Sequence, residues 1–185
     1  MNEKHLNIVE QAFKLFIHYG VSKTSMTEIA AAAKVARQTV YKAFDSKEDL
    51  VFAALLHYGI QTKAAVEQDC ASATDIGDRL DVMYKHMVQV PFEAMQAFPH
   101  LDEVLEISES FSHERKTQVK AAYLESVALV LSPWKQQLES NGVNLAQLCE
   151  MVKSTFTQIK RDARDEDNLM ALFAPLRALL IQGTR

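Results

Sequence analysis

Glycine, proline and cysteine are scarce in this chain: 5, 4 and 2 among 185 residues. So few helix breakers, with no Pro- or Gly-rich stretch, exclude a low-complexity or collagen-like chain and leave no obvious flexible linker. Cys70 and Cys149 lie far apart in sequence, which excludes a CxxC pair and a zinc-finger spacing. Neither has a basic neighbour to favour thiolate, so both read as buried thiols rather than a redox pair. Long apolar runs are also missing. The longest, LVFAALL at 50–56, is far short of the ~20 residues that cross a bilayer. The first residues, MNEKHLNIVEQ, lack the basic-then-apolar order of a secretory signal, so a cytoplasmic protein is expected.

A surplus of positive charge is absent too, since the net charge is -4. The average conceals a division. Residues 1–50 hold seven Lys/Arg against six Asp/Glu, whereas residues 51–185 hold thirteen against eighteen. Lys34, Arg37, Lys42 and Lys47 bunch together, so any surface for a polyanion must be local and N-terminal.

What remains is 48% hydrophobic residues at helical spacing, which predicts an all-α fold of about nine helices. A first helix runs from about Glu3 to Tyr19 and stops at Gly20. Ser25-Met26-Thr27-Glu28 has the S-x-x-E order of a capping box, so a second helix starts near 26. Its two turns end at Lys34-Val35-Ala36. A third helix, Arg37 to Ala43, turns Val40 and Phe44 inward and leaves a basic, polar outer face. Ser46 caps a long fourth helix reaching about Cys70. Further on, the regularity of a fifth helix is expected to be interrupted at Pro91, and a helix from about His113 to Ser140 to kink at Pro133.

Two short helices joined by a tight turn at 25–44 have the order of a helix-turn-helix, whose second helix enters the DNA major groove. Arg37 and Gln38 suit guanine and adenine edges, and Thr39 a thymine methyl or a phosphate. Tyr41, Lys42 and Lys47 suit phosphates. Thr27 and Lys34 complete the expected DNA-contacting set. Lys34 and Ala36 stand where a glycine turn and a hydroxyl cap would be easier. A left-handed Lys34 costs about 1–2 kcal/mol, and a missing cap about 0.5–2 kcal/mol.

The stretch AFKLFIHYGVSKTSMTEIAAAAKVARQTVYKAFDSKEDL, residues 12–50, resembles the TetR family of bacterial transcriptional regulators. The resemblance is carried by Phe13 to Phe16 with Gly20, Thr24 to Ala30, Val35, Val40-Tyr41, Phe44 and Ser46-Lys47-Glu48-x-Leu50. Lys34 and Ala36 depart from its usual Gly and Ser. It implies a DNA-binding domain over 1–47 and a helical effector-binding and dimerisation domain over 48–185. It also implies a homodimer on a near-palindromic operator, most simply a repressor released by a small molecule. A TetR-fold protein acting through a protein partner is the alternative.

Dimer helices are expected at about 144–161 and 166–182, meeting through Leu148, Val152, Phe156, Leu169, Leu172, Phe173 and Leu176. His57, Tyr58, Met83, Met87, Phe98, Phe111 and Tyr123 are candidate effector-pocket residues, although the same residue types line ordinary cores. Enzyme chemistry, a cofactor and a membrane are not expected. His100, Glu103, Glu106, Glu109 and His113 fall at near-helical intervals, but lack the Glu-x-x-His pairs of a di-iron bundle. They read as a solvated acidic face.

Overall fold

A computed structural model describes residues 2–185, and its described residues contain helices but no strand. The α-helical segments are α1 (Glu3–Tyr19), α2 (Met26–Ala32), α3 (Arg37–Ala43), α4 (Lys47–Cys70), α5 (Ile76–Tyr84), α6 (Val90–Ala97), α7 (Leu101–Ser110), α8 (His113–Leu131), α9 (Lys135–Ser140), α10 (Leu145–Asp162) and α11 (Glu166–Gly183). A π-helical segment, Lys85–Gln89, joins α5 to α6, and a 3-10 turn, Ser132–Trp134, joins α8 to α9. Continuous rods therefore number nine among the described residues. None is long and apolar enough to cross a membrane.

Capping follows the local sequence. The Asn2 side chain accepts from His5 N–H, Asn144 from Gln147 N–H, and Asp165 from Asn168 N–H, each satisfying a donor left free at a helix start. Gly20 ends α1 at φ 91°, and a Cβ there would stand 2.5 Å from Glu103 Oε1. The positive φ calls for glycine, whereas the carboxylate could shift to admit a Cβ.

Pro91 interrupts the regularity of the helix, as expected, without ending it. It falls one residue into α6, and the preceding turn widens into the π-helical segment rather than breaking. Pro133 behaves as expected, tightening one turn between α8 and α9.

The chain forms two compact units. The first comprises Met1–Tyr58 and Ala94–Val119, so its core joins Ile8, Val9, Ala12 and Phe16 of α1 with Ile29 of α2, Val40 of α3, Leu50 and Val51 of α4, and Val104 of α7. It extends beyond residue 47 because α4 and α7 supply walls that three short helices cannot close alone. The second comprises Gly59–Glu93 and Lys120–Arg185, around Leu80, Met83, Met87, Val127, Val130, Val152, Phe156, Leu169 and Phe173. Cys70 and Cys149 are free and buried, and burial pushes both thiols up, away from reactive thiolate.

Candidate nucleic-acid interface

The turn between α2 and α3 is built without the expected glycine. Lys34 sits at φ 56°, in the left-handed region. Around it, Val35 N–H donates to the Ala30 carbonyl (3.0 Å) and Lys34 N–H to the Ala31 carbonyl (3.1 Å). These two bonds are the Schellman pattern of a helix C-terminus, with Lys34 in the position glycine usually holds. Asn7 on α1 adds a third fixture, its side-chain amide donating to the Ala33 carbonyl at 2.9 Å. The turn is thus over-determined, and it bears the strain of a left-handed lysine. Replacing Lys34 with Gly should raise unfolding free energy by about 1 kcal/mol. Equilibrium urea unfolding of both proteins would check it.

The capping box forms as expected. Ser25 Oγ accepts from Glu28 N–H (3.2 Å), and Glu28 Oε2 accepts from Ser25 N–H (2.7 Å). That hydrogen bond holds the Glu28 carboxyl below its ordinary range. Ala36, by contrast, starts α3 with no side-chain cap. Beyond α3, Ser46 Oγ accepts from Asp49 N–H at 3.1 Å and opens α4.

Only Val40 of α3 is buried. Arg37, Gln38, Tyr41 and Lys42 are exposed, Thr39 is half-buried, and Thr27 and Lys34 are exposed beside them. One face of a helix therefore carries cationic and amide groups toward solvent, held by a turn with three hydrogen bonds. Arg37 is not a free tether: its Nη2 donates to Tyr41 Oη (3.3 Å) and its guanidinium lies 5.2 Å from the Tyr41 ring centroid. The tyrosine pre-orients the arginine near the start of α3.

Lys47 is different from the rest. Its Nζ donates to the carbonyls of Val21 (2.6 Å) and Ser22 (3.3 Å). Its ammonium clamps the α1–α2 loop, so a phosphate would have to share or displace those bonds. Glu103 on α7 grips the same loop, accepting from Ser22 N–H and Ser22 Oγ, each at 3.1 Å. Those bonds, led by the backbone one, hold its carboxyl below the ordinary range, and His100 Nδ1 lies 3.2 Å away. Reading 100–113 as only a solvated acidic face was therefore incomplete: Glu103 is a loop anchor. Nothing in residue spacing shows a partner 81 positions away. Arg115 likewise holds α4, pairing with Asp49 and lying over the Phe52 ring.

The family model for bacterial regulatory proteins, tetR family, matches residues 8–54, the stretch that contains α1, the helix-turn-helix and the start of α4. Residues 8–54 carry the N-terminal domain of the TetR family. The chain is 31% identical over 113 residues to the uncharacterized HTH-type transcriptional regulator YuxN of Bacillus subtilis, a match covering 56% of this chain and 39% of YuxN. It thus spans about two fifths of that relative's length. Among solved structures, the fatty acid degradation regulator FadR of Bacillus halodurans is similar over 100% of this chain and 98% of its own, with TM-score 0.68 and 21% identity. FadR of Bacillus subtilis, solved with stearoyl-CoA, is similar over 96% and 98%, with TM-score 0.68 and 19% identity. At such identities these two structures attest the TetR fold.

The residues expected at a dimer contact stand elsewhere. Leu148, Val152, Phe156, Leu169, Phe173 and Leu176 are buried in the second unit's own core, and only Leu172 is exposed. The periodicity was sound, but α11 carries apolar residues on more than one face and the better-packed face turns inward. Met151, Met170, Leu172 and Leu179 are the large apolar residues that α10 and α11 leave outside.

The expected pocket residues fall in both units. His57, Tyr58, Phe98 and Phe111 belong to the first, where Phe111 meets Phe52 edge-on and His57 Nε2 lies 3.4 Å from Glu10 Oε1 without hydrogen-bond alignment. Met83, Met87 and Tyr123 belong to the second. Both methionines are fully buried there, and the Tyr123 hydroxyl donates to the Met87 carbonyl at 3.2 Å.

Proposed function

We propose that this chain is a TetR-family, sequence-specific transcriptional regulator that acts as a homodimer in the cytoplasm, a repressor released from its operator by a small molecule. The observation that carries the DNA-binding part is the exposed face of α3, mounted on the hydrogen-bonded turn at Lys34. In this reading residues 1–47 read DNA, and residues 48–185 receive the effector and dimerise. Arg37 and Gln38 approach base edges from the N-terminal end of the recognition helix. Thr27, Lys34, Thr39, Tyr41 and Lys42 face the sugar-phosphate backbone. Lys47 acts chiefly by holding the loop before α2.

Dimerisation is assigned to the outer apolar faces of α10 and α11. Met151, Leu172 and Leu179 are 52%, 37% and 70% exposed, and Leu172 and Leu179, seven positions apart, share one face of α11. Pairing each face with its own copy gives a symmetric four-helix contact. Replacing Leu172 and Leu179 together with Lys should yield a folded monomer, seen by sedimentation, because neither side chain belongs to the core. Operator affinity should fall at least about tenfold, since one half-site alone then holds each chain.

The effector part of the proposal draws on FadR of Bacillus subtilis, whose structure holds stearoyl-CoA. α4 runs unbroken from Lys47 to Cys70 and α8 from His113 to Leu131, each contributing residues to both units. A ligand that favours one setting of these helices biases the spacing of two recognition helices, provided it binds the DNA-free arrangement better. Recovering bound duplexes from genomic fragments, then adding candidate ligands to the complex, tests both parts. Ligands that raise melting temperature while leaving operator affinity unchanged would overturn the coupling.

A further inference from the structure

Arg37 is the first residue of α3 and is exposed, a place where a long side chain ordinarily samples many rotamers before it meets DNA. Tyr41 changes that. Side chains of a helix lean toward its N-terminus, so a ring at position 41 reaches back over position 37. The contact is doubled: Arg37 Nη2 donates to Tyr41 Oη at 3.3 Å, and the guanidinium carbon lies 5.2 Å from the ring centroid. Together the two contacts restrain both the reach and the plane of the guanidinium.

The chemistry of the partner matters as much as its place. Arg115 and Arg177 are each held by a carboxylate, of Asp49 and Asp81, whereas no ion pair of the described residues includes Arg37. A neutral phenol orients the arginine and leaves its charge for a polyanion. Donor accounting agrees. With one N–H directed at Tyr41, the guanidinium keeps a two-pronged fork for the O6 and N7 acceptors of guanine. Tyr41 Oη accepts from Arg37 through one lone pair and still has its own hydrogen to donate. The side chain is 42% exposed, so that hydrogen is open to an acceptor outside the chain.

We propose that Tyr41 is a specificity-positioning residue, whose hydroxyl donates to a DNA phosphate while it accepts from Arg37, so that seating on the backbone sets the arginine for guanine. Linked hydrogen bonds polarise one another, so each strengthens the other. The inference rests on the DNA-binding reading above and deepens it: a phosphate contact, which carries no sequence information by itself, acts on base choice through its neighbour.

Fluorescence anisotropy of the full chain tests this, with the recovered operator and a copy in which the guanine read by Arg37 is changed to adenine. That guanine is the position where Arg37→Ala loses its preference. Tyr41→Phe keeps the ring and removes the hydroxyl. It should lower operator affinity about tenfold and cut the preference for that guanine about threefold, with preferences at other positions unchanged. Tyr41→Ala, which removes the ring as well, should cut the preference further. In an Arg37→Ala background, Tyr41→Phe should cost only its phosphate bond, about threefold on either duplex, because the two side chains act as a pair. Tyr41 is exposed and only Val40 of α3 is buried, so these variants should fold, which circular dichroism checks. Losses equal on both duplexes, and equal with or without Arg37, would make Tyr41 a phosphate contact alone and overturn the proposal. Binding of no duplex by the unaltered chain would overturn the DNA reading itself, and this inference with it.

Discussion

Reversing two charges on the recognition helix, Arg37→Glu with Lys42→Glu, should lower affinity for the selected operator by at least about a hundredfold and leave the fold intact. Arg37 lies near the start of α3, the end proposed to meet base edges, and losing one bidentate arginine costs about 1–3 kcal/mol. Lys42 lies a turn further on and is assigned to phosphate in the proposed complex, so its reversal should add repulsion on every duplex. Both are exposed, and α3 is held by Val40 and by the turn at Lys34 rather than by either cation. Circular dichroism should therefore be unchanged. The controls separate the two roles. Arg37→Ala should relax base preference, whereas Lys42→Ala should weaken selected and random duplexes alike and reduce the salt slope by about one. An operator affinity indifferent to the double reversal would remove α3 from the interface.

The second large effect concerns stability. Phe173→Ala should cost about 3–5 kcal/mol. Phe173 is fully buried, its ring stacked on Tyr84 at 4.8 Å and edge-on to Phe156 at 5.9 Å, so truncation opens a cavity that three helices cannot easily close. Leu179→Ala, on the same helix but 70% exposed, should change the unfolding of the separated subunits by no more than about 0.5 kcal/mol. Urea unfolding at several protein concentrations tells the two apart, since a dimer contact makes the midpoint depend on concentration and a core contact does not. If Phe173→Ala cost little and Leu179→Ala much, the inward and outward faces of α11 would have to be exchanged.

That contrast marks where a sequence can and cannot be read. Helix limits were legible because caps are local: Ser25 with Glu28, Ser46 and Asn144 each announced a start within three residues of the group they satisfy. The helix-turn-helix was legible for the same reason, even without its glycine, because the Schellman bonds at Lys34 involve only neighbours. Facing was harder. On α11 the apolar residues cover so much of the circumference that periodicity alone did not say which stripe met the chain's own core. Long-range polar partners were invisible: Glu103 to Ser22, Lys47 to Val21, and Lys160 to Met87 each cross at least 26 positions with no motif. The disturbance at Pro91 was legible because its missing N–H is a local fact, whereas Tyr123 and Lys160, which donate to the Met87 carbonyl, come from elsewhere in the chain.

The central claim is that this surface reads a paired DNA site. It is tested most directly by a fluorescence anisotropy titration of duplexes recovered from genomic fragments, run from low to physiological salt beside a random duplex of equal length. Recovered sites should be near-palindromes with half-sites about one helical turn or a little more apart, and should bind at least about a thousandfold more tightly than the random duplex at physiological salt. Failure to bind any duplex, even at low salt, would contradict the account.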